Sequence, residues 1–143
     1  MRPYVHAVPE SVDANHYYNS FPGHTVADLA VIHAQLRQRG CEQFVFLAGD
    51  STLDNHDSAW VGIDVARAVN GYEAILTPPH MRRDVCYWLN AELQACYAGR
   101  GGAVCALNTA IEESTLAQRS DGLLPQDKFI QETMTENDIL IVS

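Results

Sequence analysis

Residues 44–55 read FVFLAGDSTLDN. The run from Gln43 to Ala48 is short, aromatic and β-branched, and reads as a buried strand. It breaks at Gly49-Asp50-Ser51 into a cluster of small polar residues. In open α/β sheets ligands collect at the carboxyl ends of strands, and this is such an end. Gly49 permits a tight backbone turn, Asp50 can hydrogen-bond within it, and the hydroxyl of Ser51 is presented to the crevice.

The surroundings decide what kind of sheet this strand joins. Upstream, Thr25 offers a helix N-cap with Asp28 three residues on, a variant of the capping box. Val26, Leu29, Ile32, His33 and Leu36 then share one helical face, and Gly40 is a natural stop. His33 is read as a core residue of that face. Downstream, "SAWVGIDVARAV" (58–69) has a helix-compatible composition, while "VNGYEAIL" (69–76) looks like a turn with a short extended piece. Pro78 and Pro79 punctuate the chain. Met81, Val85, Trp88, Leu89, Leu93 and Cys96 fall at the spacing of an amphipathic helix, which "GRGG" (99–102) ends. "AVCAL" (103–107) reads as a second buried strand. A helix starting at Pro125 turns Phe129, Ile130 and Met134 inward, and "DILIVS" (138–143) reads as a third buried strand.

Strands alternating with helices predict right-handed crossovers and a mainly parallel sheet with helices on both faces. Residues 25–143 are read as this α/β domain, and residues 1–24, rich in Pro, Asn, His and Tyr, as an irregular N-terminal arm. Parallel strands are normally buried on both faces. The last strand therefore wants a neighbour, and the sheet reads as incomplete at its C-terminal side. Self-association, or a missing C-terminal segment, would complete it.

The 143 residues carry a net charge of −9, which repels nucleic acid phosphates and anionic membrane surfaces. No nucleic acid partner is expected. The N-terminus lacks the apolar core of a secretory signal, and no run of about eighteen apolar residues exists to span a bilayer. Cys41, Cys86, Cys96 and Cys105 are scattered without the close spacing of a zinc site. They read as reduced thiols packed like small apolar side chains, in a soluble, cytoplasmic protein.

Gly49-Asp50-Ser51-Thr52-Leu53-Asp54-Asn55 after a buried strand resembles the first signature block of the SGNH/GDSL hydrolases, with Thr52 and Leu53 in swapped order. That family has a flavodoxin-like, three-layer αβα fold and hydrolyses small-molecule esters, including lipid, acetyl-sugar and thioester substrates, without a cofactor. The resemblance implies that Ser51 is the nucleophile of a lipase/acylhydrolase-like serine esterase. It also implies that Ser51's own N–H is one oxyanion donor, with Gly49, Asp50, Asp54 and Asn55 supporting the turn. The loop after the second strand, "LNTAIEEST", would give the second donor from Asn108 to Glu113, although the family's glycine is missing there. Asn137-Asp138, the match to the third block, precedes its strand rather than following it. The histidine-bearing fourth block is not found, so the chain reads as the N-terminal portion of a longer, truncated hydrolase.

Within the chain, His56 and His80 are the histidines weighed as a base, each against an ordinary surface or helix-start role. Glu113, beside Glu112, is weighed as a carboxylate near the crevice. Asp50, Asp54, His56 and Asp57 fail the calcium-loop pattern and read as a solvated polar loop, so no metal site is assigned. Arg82 and Arg83 read as a solvated face. The rival reading is a non-catalytic α/β module that holds a small anion or a protein partner at the strand-end crevice.

Overall fold

The computed structural model describes residues 9–53, 65–99 and 102–143. In chain order these form β1 (Val12–Asp13), α1 (Ala14–Asn19), α2 (Val26–Gln38), β2 (Gln43–Ala48), β3 (Val65–Arg67), a 3-10 turn (Tyr72–Ala74), β4 (Leu76–Thr77), β5 (His80–Arg82), α3 (Val85–Cys96), β6 (Val104–Asn108), α4 (Leu116–Arg119), α5 (Pro125–Thr133) and β7 (Ile139–Val142). The protein is a mixed α/β structure, small and open. None of its described helices is long and apolar enough to cross a membrane.

The central sheet is parallel, with β2 in the middle in the order β6-β2-β7. Successive side chains of β2 point to opposite faces, and the two faces meet different helices. Phe44, Phe46 and Ala48 join a core with Leu29, Ile32 and Leu36 of α2 and with Phe129 and Ile130 of α5. Val45 and Leu47 join Val104, Ala106, Cys86, Leu89 and Leu93 on the side of α3. Two smaller pairings, β1 with β4 (parallel) and β3 with β5 (antiparallel), stand apart from this sheet.

Local chemistry fixes the helix starts. The Thr25 hydroxyl accepts the Asp28 N–H at 3.2 Å, so the expected cap of α2 forms; such a cap is worth about 1 kcal/mol. Asp13 caps α1 by accepting the N–H groups of Asn15 and His16.

Four expectations need correction. The stretch taken as an irregular arm contains β1 and α1, and Tyr17 and Tyr18 are buried against the core. Val65–Arg67, the described end of the helix-compatible segment 58–69, is extended because it pairs with His80–Arg82. The helix α3 is rotated from its expected setting, with Met81 lying before it in β5. It buries Cys86 and Asn90 and leaves Trp88 54% exposed. Finally, β7 is an exposed edge strand rather than a buried one, because it pairs with β2 on one side only.

The rotation of α3 has a physical cause. The Asn90 side chain accepts the Ala106 N–H at 2.9 Å and donates to the Ala106 carbonyl at 3.0 Å. An amide side chain thus stands where a neighbouring strand's peptide would stand, and it satisfies the Ala106 N–H, which burial would otherwise leave unpaired, while the carbonyl also accepts the Tyr72 hydroxyl at 2.7 Å.

Candidate active site at the strand end

The end of β2 is held by its neighbours on both sides. The Ala48 carbonyl accepts the Ser143 N–H at 3.0 Å, and the Gly49 carbonyl accepts the Ile111 N–H at 2.9 Å and the Ser114 hydroxyl at 3.0 Å. Gly49 has φ of +153°, and a Cβ at this position would collide with the Ser143 carbonyl oxygen. Glycine is therefore required by close approach as well as by conformation.

The chain then turns. The Leu53 N–H donates to the Asp50 carbonyl at 3.1 Å, which puts Ser51 and Thr52 at the corner. The Asp50 carboxylate accepts the Thr52 N–H at 3.0 Å and its hydroxyl at 2.9 Å. These bonds favour the ionised form and hold the Asp50 carboxyl below its ordinary range. The Thr52 and Ser143 hydroxyls are hydrogen-bonded to each other. The Asn108 side chain donates to the Leu53 carbonyl at 2.9 Å and accepts the Ala110 N–H at 3.1 Å, tying the turn to the loop after β6. Ser51 is half-buried, and neither its N–H nor its hydroxyl bonds to a described residue. Asp54, Asn55, His56 and Asp57 lie outside the described residues.

Beside the turn is a hollow of about 610 Å³ whose wall includes Leu47, Leu53, Val85, Trp88, Leu89 and Ile141. Asp84 also lines it. Its carboxylate accepts the Tyr87 N–H at 2.9 Å as the cap of α3, and burial pushes its carboxyl up to about 6. A buried carboxyl that titrates near neutrality in a cleft is able to exchange protons there. Sequence reasoning missed Asp84. Its position three residues before Tyr87, at the start of an apolar helix, marked a cap but not the burial that shifts it.

The loop after β6 has little left to give a ligand. The N–H groups of Thr109, Ala110, Ile111 and Glu112 go to Leu47, Asn108, Gly49 and Pro22. Glu113 is exposed with φ of +61°, and its N–H meets no described acceptor.

The structure brings no described histidine to Ser51. His80 opens β5 opposite Arg67, is exposed, and shares a hollow with Asn15 and Tyr18 instead. His16 pairs with Asp28 at 2.7 Å. His24 donates from Nδ1 to the Tyr17 carbonyl at 2.7 Å, with its ring stacked 3.5 Å from that of Tyr17. His33 lies 4.4 Å from the Phe44 ring and 5.9 Å from that of Phe129, where burial lowers its pKa. Cys41, Cys86, Cys96 and Cys105 are free thiols, and all but Cys96 are buried. No metal-binding cluster occurs among the described residues.

Fold and site together define a mixed α/β protein with a serine-bearing turn at the carboxyl end of its central parallel strand. Comparison of the chain with protein-family models, curated proteins and solved structures finds no match.

Proposed function

We propose that this chain carries the nucleophile of an SGNH-type serine ester hydrolase with a flavodoxin-like, three-layer αβα fold. The observation that carries the reading is the Ser51 turn. An uncommitted hydroxyl and its own uncommitted N–H stand at the carboxyl end of the middle parallel strand, two residues before Leu53, which lines an apolar hollow of about 610 Å³ whose wall does not include Ser51 itself. In this mechanism Ser51 Oγ attacks the ester carbonyl as its proton passes to a histidine base. The alcohol leaves with that proton, and water then releases the acid from the acyl-serine. The Ser51 N–H holds the oxyanion, and the Glu113 N–H is the one amide of its loop open for the second bond; losing one such donor costs about a hundred- to a thousandfold in rate. The base is His56 or a histidine beyond this chain. Substrate is a small-molecule ester, the chemistry needs no cofactor, and the setting is cytoplasmic.

A second reading, a non-catalytic module that holds an anion or a protein partner at the crevice, has its own support. The described histidines lie away from Ser51, and most amides facing the strand end already have acceptors. Hydrolysis of p-nitrophenyl acetate by the chain and by Ser51→Ala, with and without added imidazole, separates the two. With a base from outside the chain, the hydrolase reading expects the chain alone to be barely faster than Ser51→Ala; with His56 as the base, the chain alone should be clearly faster. Imidazole, as a diffusible base, should raise only the wild-type rate above the solution reaction. Equal rates for both proteins in imidazole would favour the binding module.

A further inference from the structure

A second hollow, of about 580 Å³, lies by the amino ends of β2 and β6, at the other end of the sheet from Ser51. Four segments wall it: the end of α2, the 3-10 turn, the last turns of α3 and the approach to β6. Leu36, Ala91, Ala95 and Ala98 give it an aliphatic side. Gly71, with φ of +94°, is packed so closely on Leu36 that a Cβ there would collide with the leucine, so the turn and α2 are fitted to each other. Hollows of this size with an apolar wall and a few placed polar groups suit small molecules.

Three polar side chains stand in that wall. Asn70 is buried, and its Nδ2 donates to Asn90 Oδ1 and to the Val104 carbonyl, each at 2.9 Å. Both partners are acceptors, so the amide cannot be turned round, and Oδ1 is the acceptor left over. It has no partner. A buried acceptor is costly to leave unpaired, and Asn70 lines the hollow, which makes an N–H donor held there its natural partner. Glu73 is anchored to the turn, one carboxylate oxygen accepting the Gly71 N–H at 2.9 Å; its other oxygen is open to a cation. The end of α3 meets the same wall at Ala95 and Ala98, and a helix C-terminus carries partial negative charge. Arg39, the C-cap residue of α2, brings the opposite sign. It forms no ion pair with a described residue, and a guanidinium is suited to a carboxylate.

From this we propose that the hollow binds an amino acid with an aliphatic side chain. The ammonium goes to Asn70 Oδ1, Glu73 and the end of α3, the carboxylate to Arg39, and the side chain to Leu36 and the alanines of α3. An acceptor-rich wall and an unpaired cation in one small hollow fit a zwitterion better than either charge alone. The inference stands apart from the Ser51 turn, and holds whether or not that serine is a nucleophile.

Isothermal titration calorimetry of the full 143-residue chain with L-leucine tests it, beside isoamylamine, which lacks the carboxylate, and isocaproate, which lacks the ammonium. Leucine should bind, and each analogue should bind about tenfold more weakly. Arg39→Gln should weaken leucine about tenfold and leave isoamylamine unchanged, whereas Glu73→Gln should weaken leucine about tenfold and leave isocaproate unchanged. Both side chains are exposed, so neither change disturbs the core. Ala91→Phe, which fills the hollow from α3, should abolish binding of all three. No binding of L-alanine, L-leucine or L-methionine at millimolar concentration would overturn the proposal. Leucine binding that is indifferent to both charge variants would overturn it as well.

Discussion

Replacing Asp84 with Asn should make the protein more stable at neutral pH, and the gain should vanish in acid. Asp84 is nine-tenths buried and more, and its carboxyl is raised from an ordinary 3.8 to about 6, burial being the largest cause. That difference corresponds to about 3 kcal/mol of folding free energy. Below about pH 3 the group is protonated in both states and costs nothing. As pH rises, the unfolded chain ionises first, and the native state loses stability until the folded carboxyl also ionises near pH 6. Above that the full penalty applies. Asparagine is as good an N-cap as aspartate, and its carbonyl can accept the Tyr87 N–H in the same way, so the substitution removes the buried charge and keeps the cap. Urea denaturation of both proteins between pH 4 and 8 should give a stability difference, variant minus wild type, that rises by about 2.4 kcal/mol over this range. All other titrating groups are shared and cancel. A difference that does not change with pH would refute the reasoning, and one that falls with pH would mean that the ionised carboxylate is stabilised where it sits.

Two further substitutions test how the strand end and the sheet edge are held. Asn90→Leu leaves the Ala106 N–H without its partner in a buried site, while the Ala106 carbonyl keeps the Tyr72 hydroxyl at 2.7 Å. At about 1–3 kcal/mol for an orphaned group, urea denaturation should report a loss of roughly 1–3 kcal/mol, whereas Leu89→Met, an isosteric change in the same helix, should cost little. Gly49→Ala forces a Cβ against the Ser143 carbonyl. It should lower stability by roughly 1–3 kcal/mol and speed amide exchange at Ser143, whose N–H bonds to Ala48; unchanged exchange there would show that the end of β7 does not rest on Gly49.

Much of the central sheet was legible. Gln43–Ala48 and Val104–Asn108 are short apolar runs flanked by glycine or polar residues, and Thr25 and Pro125 carry helix-start chemistry that depends only on near neighbours. What failed depended on distant contacts. Val65–Arg67 is a strand only because His80–Arg82 lies against it, and the Ala66-Arg67-Ala68 run that overlaps it favours a helix. Six residues of α1 are too few for a period to show, so the burial of Tyr17 and Tyr18 could not be read. The apolar period of α3 pointed to Trp88 as inward, but the hydrogen-bonding demand of the β6 edge turned Asn90 inward instead. An asparagine among apolar helix positions was the available signal. At the site, Ser51 and the bends at Gly49 and Asp50 followed from the turn sequence, whereas Asp84 came from a separate segment that only the folded chain brings beside Leu53.

The central claim is that the Ser51 hydroxyl is a nucleophile awaiting a base. Treating the chain with a fluorophosphonate in imidazole buffer and mapping the adduct by peptide mass spectrometry tests this most directly. The account predicts one phosphonylated peptide, with the modification on Ser51 and absent from Ser51→Ala. An unmodified Ser51, or equal modification of both proteins, would contradict it.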